Sequence, residues 1–139
     1  MNQHARDAVT RGATLLDQFF TYNGETEDWA VYIDREALNM AFPWACVLGQ
    51  LAPMMSSAAQ KVPGEVLFSD AWSALKLNLP IADPEDDFFT AHVDDARLME
   101  RARQSWYGFE DSEHFDHEEL DEAWLNELKE REHAGTSQD

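Results

Sequence analysis

Residues 29–51, Trp29-Ala30-Val31-Tyr32-Ile33 through Cys46-Val47-Leu48-Gly49-Gln50-Leu51, hold two of the five tryptophans, the only cysteine and the densest apolar content of the chain. Trp29, Val31 and Ile33 alternate with Ala30 and Tyr32, and all but Ala30 are β-branched or aromatic, which predicts a short extended segment. Asp34 is a good N-cap, but Ala37 three residues later denies it a capping box. Arg35–Met40 then reads as one or two helical turns with Leu38 inward. Pro43 is expected to open a second helix at its first position, where a missing N–H costs nothing. Val47, Leu51 and Met54 or Met55 fall at three- and four-residue steps on one face of that helix. Trp44, Cys46 and Leu48 widen its apolar surface until little polar face is left, so the helix is expected to be the buried core. Pro53 should kink or end it.

Outward from this stretch, Gln3–Phe20 reads as a first helix with Val9, Leu16, Phe20, Ala5, Ala13 and Phe19 as its stripe. Asn23-Gly24 is a turn signal. Ser56–Gly64 is small, polar and bounded by proline and glycine, hence a loop. After the apolar Val66-Leu67-Phe68, Ser69 can cap a short helix, Asp70–Leu77, that carries Trp72, Leu75 and Ala71 and is broken around Pro80. Asp83-Pro84-Glu85-Asp86 is a helix start, with Phe88, Phe89 and Val93 as apolar positions. Asp94–Tyr107 continues or restarts a helix with Leu98, Ala102 and Trp106 at four-residue steps, and Gly108 is a natural terminator. Asp116 and Glu119 have the spacing of a capping box. Leu120, Trp124 and Leu128 make the inward stripe of the last helix, Asp116–Glu132, with Glu127–Arg131 as a supporting pair. That geometry turns Glu118, Asp121 and Glu122 outward. The class is mainly α: a compact single-domain fold of about five to six helices with at most one or two short strands. Residues 1–135 read as the domain and 136–139 as a frayed tail.

Asp34, Leu38 and Met40 followed by Cys46-Val47-Leu48-Gly49-Gln50-Leu51, then Gly108-Phe109 and Leu120-Asp121-Glu122-Ala123-Trp124, resemble a family of short uncharacterised proteins of actinobacteria and their phages. The resemblance covers 29–51 and 102–131 and implies no activity. The connection between Gln50 and Gly108 is longer than the family pattern, so residues 63–93 read as an insertion.

Composition bounds the function. At 139 residues with 44% hydrophobic and 12% aromatic content, the chain can bury a core. Its apolar runs are interrupted by Gly49, Gln50 and Pro53, so none is expected to span a membrane, and no signal-peptide h-region follows the N-terminus. One cysteine allows no internal disulfide, which fits a reducing, cytoplasmic setting. The formal net charge is −18. Residues 1–82 carry nine acids against five bases, and residues 83–139 carry nineteen against five. Such a surface repels nucleic acid and anionic membranes and attracts basic protein surfaces, including those that hold DNA or RNA. Adaptation to high salt would give the same composition without any binding role.

Three constellations carry chemistry. Cys46 in a first helical turn after Pro43 has the position of an activated thiolate, while its neighbours Trp44, Val47 and Leu48 are those of a buried structural thiol. His114 and His117, three apart beside Glu113 and Glu118, offer metal-ligand chemistry, without the zincin spacing or a second Cys/His cluster. Read as a solvated, acid-rich helix start, they hold no metal. Aromatic residues among acids (Phe88, Phe89, Trp106, Tyr107, Phe109, Phe115) suit an interface onto a basic partner, or simply a core whose outer face the acids solvate. The reading that follows is a small acidic interaction protein, without catalysis or cofactor. It would bind a basic surface of a host protein as inhibitor or regulator through Glu113, Phe115, Glu118, Asp121 and Glu122. In the extreme it mimics DNA, which needs carboxylates roughly 6–7 Å apart along a row. The other readings are a small enzyme using Cys46 or a His114/His117 metal site, and a structural, oligomerising piece.

Overall fold

Helix α1, Gln3–Phe19, starts where Asn2 accepts a hydrogen bond from the Ala5 N–H at 3.2 Å. Its buried face is Ala5, Ala8, Val9, Gly12, Ala13, Leu15 and Leu16, the predicted stripe widened by small residues. The computed structural model describes residues 2–22, 24–26, 28–56, 66–84 and 96–136. A minimal antiparallel hairpin follows α1, with β1 (Thr21–Tyr22) paired to β2 (Glu25–Thr26). Gly24, at φ +85°, lies in its turn, a conformation that favours glycine.

Residues 29–33 depart from the extended reading, because Trp29–Tyr32 is a 3-10 helix. An extended segment needs a neighbouring edge for its N–H and C=O groups, and the described sheet ends with the two-residue strands. Trp29 is instead pulled into the core. Its indole N–H donates to Asp17 Oδ1 at 2.9 Å, its face lies under the Arg131 guanidinium, and its edge meets the Trp124 ring. Val31, expected to alternate inward, is 70% exposed.

The second helix also starts later than expected. Asp34 caps only a turn, and Pro43 lies in a connection of successive turns. Helix α2 is Val47–Met55, with Cys46 as N-cap. The thiol accepts the Gly49 N–H at 3.3 Å, the place a serine or aspartate would usually fill. Trp44 therefore lies outside the helix and is 48% exposed rather than buried. Val47, Leu48, Leu51 and Met55 are buried as expected of the core helix, and Pro53 sits two residues from its end.

Helix α3, Leu67–Asn78, begins three residues before the predicted Asp70 and buries Ala71, Trp72, Ala74 and Leu75 against α2. The loop reading of residues 57–64, part of the insertion reading, and the helix start after Asp83-Pro84 with Phe88, Phe89 and Val93 lie outside the described residues. Helix α4, Ala96–Trp106, buries Ala102 and Ser105. Leu98 is 55% exposed, because strict four-residue steps rotate about 40° each on an α-helix and leave the buried face. At the end of α4, the Gly108 N–H donates to Ser105 O and the Phe109 N–H to Gln104 O, with Gly108 at φ +75°. This is a Schellman cap around the predicted terminator.

Helix α5, His117–Thr136, opens on a reciprocal box. The Glu119 N–H donates to Asp116 Oδ1 at 2.8 Å, and the Asp116 N–H donates to Glu119 Oε1 at 3.1 Å. Leu120, Trp124 and Leu128 are all buried, and the helix runs one residue past Gly135. The fold is mainly α, as expected: five α-helices, one 3-10 helix and two two-residue strands among the described residues. Among them, no helix is long and apolar enough to cross a membrane.

The core closes where α1 meets α4 and α5. Gly12 permits this: a Cβ there would lie 2.0 Å from the Tyr107 carbonyl oxygen. Trp124 stacks on Phe109 and donates its indole N–H to Gly108 O at 2.7 Å. Arg131 holds Asp17 through two bonds of 2.9 Å and contacts Glu127 at 3.4 Å. Burial works against the Arg131 charge, but the Asp17 and Glu127 carboxylates more than offset it and raise its pKa.

Candidate functional site

The connection from α4 to α5, residues 107–116, is where most of the singled-out chemistry lies. Ser105 ties it down by donating to Asp111 O at 2.6 Å. Asn2 ties it to the start of α1, donating to His114 O and to Glu119 Oε2 at 2.7 Å each. The His4 and His114 rings stack at 4.3 Å. Ser112 and Phe115 form an isolated bridge that folds the Phe115 ring inward. Phe115 is only 2% exposed and packs in the core. The expectation that it contacts a partner is therefore corrected. Tyr107 and Phe109 are core residues too, and the acids beside them solvate the outer side of the connection.

His117 does not pair with His114. Its Nε2 lies 3.0 Å from Glu110 Oε1 and 3.8 Å from Asp111 Oδ1. These three groups offer donor atoms within 4.8 Å of one another, a geometry that could hold a divalent cation. Arg101 already supplies a cation there, at 2.7 Å from Asp111 Oδ1. Burial raises the Asp111 pKa, but Arg101, the neighbouring Glu110 and the His117 ring hold it below the usual carboxylate range. The cluster is an ion-pair network that fastens the connection to both flanking helices. Glu110 and His117 are seven positions apart, and the chain reversal between them is the one closed by the Ser112–Phe115 bridge.

Asp121, expected to face outward, does different work. It is half-buried, and its Oδ1 accepts the Met40 N–H at 2.6 Å. Burial raises its pKa, opposed by that N–H and by His117. The outward geometry holds for Glu118 and Glu122, both exposed one turn apart, and Glu113 is exposed on the connection. With 100° per residue, Lys129 and Glu132 continue the Glu118–Glu122 stripe.

The Met40 N–H belongs to a connection, residues 39–46, that is bonded throughout. Asn39 N donates to Ala45 O, Phe42 N to Asn39 O, and Cys46 N to Phe42 O, at 3.0–3.2 Å. The start of α2 closes on it so tightly that a Cβ on Gly49 would meet Pro43 O at 2.1 Å. On this rigid connection Phe42 and Trp44 stack with centroids 5.1 Å apart and ring planes 10° from parallel. They are 45% and 48% exposed. Sequence reasoning missed this pair by placing Trp44 inside a helix. The signal was present in Asn39 and Pro43, both turn formers, which flank Phe42 and break any helical stripe through it.

Cys46 is 2% exposed. Burial chiefly, and the charge of Glu110, push its thiol up to about 12, against the Gly49 N–H. A thiol so held stays protonated at neutral pH and is a poor nucleophile. Searches with the chain against protein-family models, curated proteins and solved structures returned no match.

Proposed function

We propose that the protein is a small, non-catalytic interaction module that docks on a basic surface of another protein. In this reading it is a cytoplasmic inhibitor or regulator encoded by an actinobacterium or its phage. The observation that carries it is the use the fold makes of its few bases. Arg35, Lys76, Arg101, Arg103 and Arg131 all lie within 4.0 Å of the chain's own carboxylates, and Arg11 lies over the Trp106 ring. Twelve of the nineteen acids of the C-terminal segment belong to the described 96–132 stretch, where Glu113, Glu118, Glu122, Glu130 and Glu132 are exposed. A field of one sign steers a basic partner toward that side and disfavours acidic competitors. The four-residue step from Glu118 to Glu122 rises about 6 Å, close to the spacing that duplex mimicry asks for. The buried, protonated Cys46 and the Arg101-paired Asp111 supply no obvious reactive group, which favours binding over catalysis.

The test is charge reversal that spares Asp121, because its bond to Met40 N makes it a structural acid. Glu113→Lys, Glu118→Lys and Glu122→Lys together should abolish capture of a basic protein and leave the far-UV circular dichroism and melting temperature close to those of the wild type. Undiminished capture with unchanged salt dependence would remove the acidic-face reading.

A further inference from the structure

The Phe42–Trp44 stack is the feature that neither the core nor the acidic stripe uses. Two large rings, each nearly half exposed, sit face to face on a connection whose backbone is hydrogen-bonded from Asn39 to Cys46. It is pinned at one end by Asp121 and at the other by α2. A frayed loop would bury its rings on the nearest apolar surface or wave them in solvent. This connection instead presents them in fixed orientation, so a ligand meets them with little ordering cost.

We propose that the Phe42–Trp44 stack is the anchor of the docking surface and receives an arginine side chain of the basic partner. The inference rests on the binding-module reading and names the chemistry the anchor selects. Phe42 covers one face of the Trp44 ring, and with nearly half of each ring exposed the pair can receive a third planar group. A guanidinium is planar, weakly hydrated and attracted by the ring quadrupole, whereas an ammonium is a compact, strongly hydrated point charge. The chain answers its own tryptophans in the same way. Arg11 lies 3.5 Å over the Trp106 ring, and Arg131 lies 4.9 Å over Trp29.

The surroundings supply the matching charge. Asp34 and Glu36 are exposed a few residues before this connection, and Asp121 binds the N–H two residues before Phe42. Glu110 is near enough to bear on Cys46. The base in this neighbourhood, Arg35, is committed to Glu132 at 2.6 Å. A second copy of the chain is the other occupant an exposed aromatic pair can take. It is disfavoured here because joining two bodies of charge −18 sets like fields against each other.

The experiment titrates the full chain with an oligo-arginine and an oligolysine peptide of equal length at low salt, read by calorimetry. The wild type should bind the arginine peptide about two- to thirtyfold more tightly, the range that a cation–π contact gives between exposed and desolvated settings. The Phe42→Ala, Trp44→Ala double variant should bring that ratio to about one while both peptides still bind with the same salt slope. Its circular dichroism should stay unchanged, since both rings are exposed. The Glu113, Glu118 and Glu122 charge-reversed variant should weaken both peptides and leave the ratio intact. Equal binding of the two peptides by the wild type, or an arginine preference that survives loss of both rings, overturns the anchor and leaves the acidic reading standing. Binding of neither peptide overturns both. An arginine preference that persists with no salt dependence removes the acidic reading alone. Sedimentation of the wild type should show a monomer, and a dimer that dissociates on Trp44→Ala would assign the stack to a second copy instead.

Discussion

Alanine at position 12 sets two effects of opposite sign against each other. Glycine in a helix interior is about 0.8–1 kcal/mol less favourable than alanine, so propensity alone says that Gly12→Ala stabilises the protein. The structure says otherwise. The new Cβ would lie 2.0 Å from the Tyr107 carbonyl oxygen and 3.1 Å from Trp124 Cζ2. Ordinary carbon–oxygen contacts sit near 3.3–3.6 Å, so α1 must retreat by more than about 1 Å at this point. The obstacle is backbone rather than a side-chain tip, and no rotamer change relieves it. Retreat also strains the Arg11 Nε donation to Trp106 O one residue away. Overpacking costs about 1–3 kcal/mol, and contact with two buried groups puts this site at the upper end. Against a gain of about 1 kcal/mol, the net is a loss of about 2 kcal/mol. Urea unfolding followed by far-UV circular dichroism should show a lower midpoint with an unchanged slope. Gln18→Ala, exposed on the same helix, should stay within about 0.5 kcal/mol of the wild type. A Gly12→Ala protein as stable as its parent would refute the close packing of α1 on the end of α4.

Three further outcomes are expected. Native Cys46 should react with alkylating reagents only as fast as the protein opens, measured by mass spectrometry with and without urea, and rapid stoichiometric labelling of the folded chain would contradict its burial. Because its folded pKa is raised from 9.0 to about 12, the thiol's contribution is fully present below pH 9. It is lost as pH rises toward 12, since the unfolded chain then releases a proton that the native state keeps. Cys46→Ser, which keeps an acceptor for Gly49 N, should flatten that alkaline fall in the melting temperature. For the Asp17–Arg131 pair, a double-mutant cycle with Asp17→Asn and Arg131→Met should give a coupling of about 1–2 kcal/mol. That lies between exposed ion pairs and charged hydrogen bonds because both side chains are about one-third exposed. A coupling under about 0.5 kcal/mol would make the bidentate contact incidental.

What could be read from the sequence was whatever local periodicity decides. The stripe through Leu120, Trp124 and Leu128, the Asp116–Glu119 box and the Gly108 terminator are set within one or two turns of chain, and each is present as expected. Residues 29–46 are different, because their apolar residues follow no period that the fold uses. Trp29 is placed by Asp17 and Arg131, from opposite ends of the chain, and that pull overrides the alternation of 29–33. Asp121 shows the same limit at the candidate site. Helical geometry turns it outward, but an unpaired N–H at Met40, 81 residues away, claims its carboxylate. Phe115 sits among acids, yet the bridge to Ser112 folds it inward, and no spacing rule registers so short a reversal. The Glu110–Asp111–His117 network spans the same Ser112–Phe115 reversal, so spacing alone does not bring its members together.

The joining of α1 to α5 also sets an order of events for the chain as it is made. Asp17 and Arg131 are 114 residues apart, and Asn2 and Glu119 are 117 apart. Closing so long a loop carries its entropic cost before any contact across it offsets that cost, which slows folding. The α2–α3 pair is close in sequence and can form early. During synthesis, Val9, Leu15, Leu16 and Trp29 must wait for Leu120, Trp124 and Arg131 to emerge before they are covered. The most apolar surface of the first helix is thus exposed until the α5 residues that cover it have been made. The strongly acidic segment follows the apolar one, its mutual repulsion keeping nascent chains apart until α5 packs on α1.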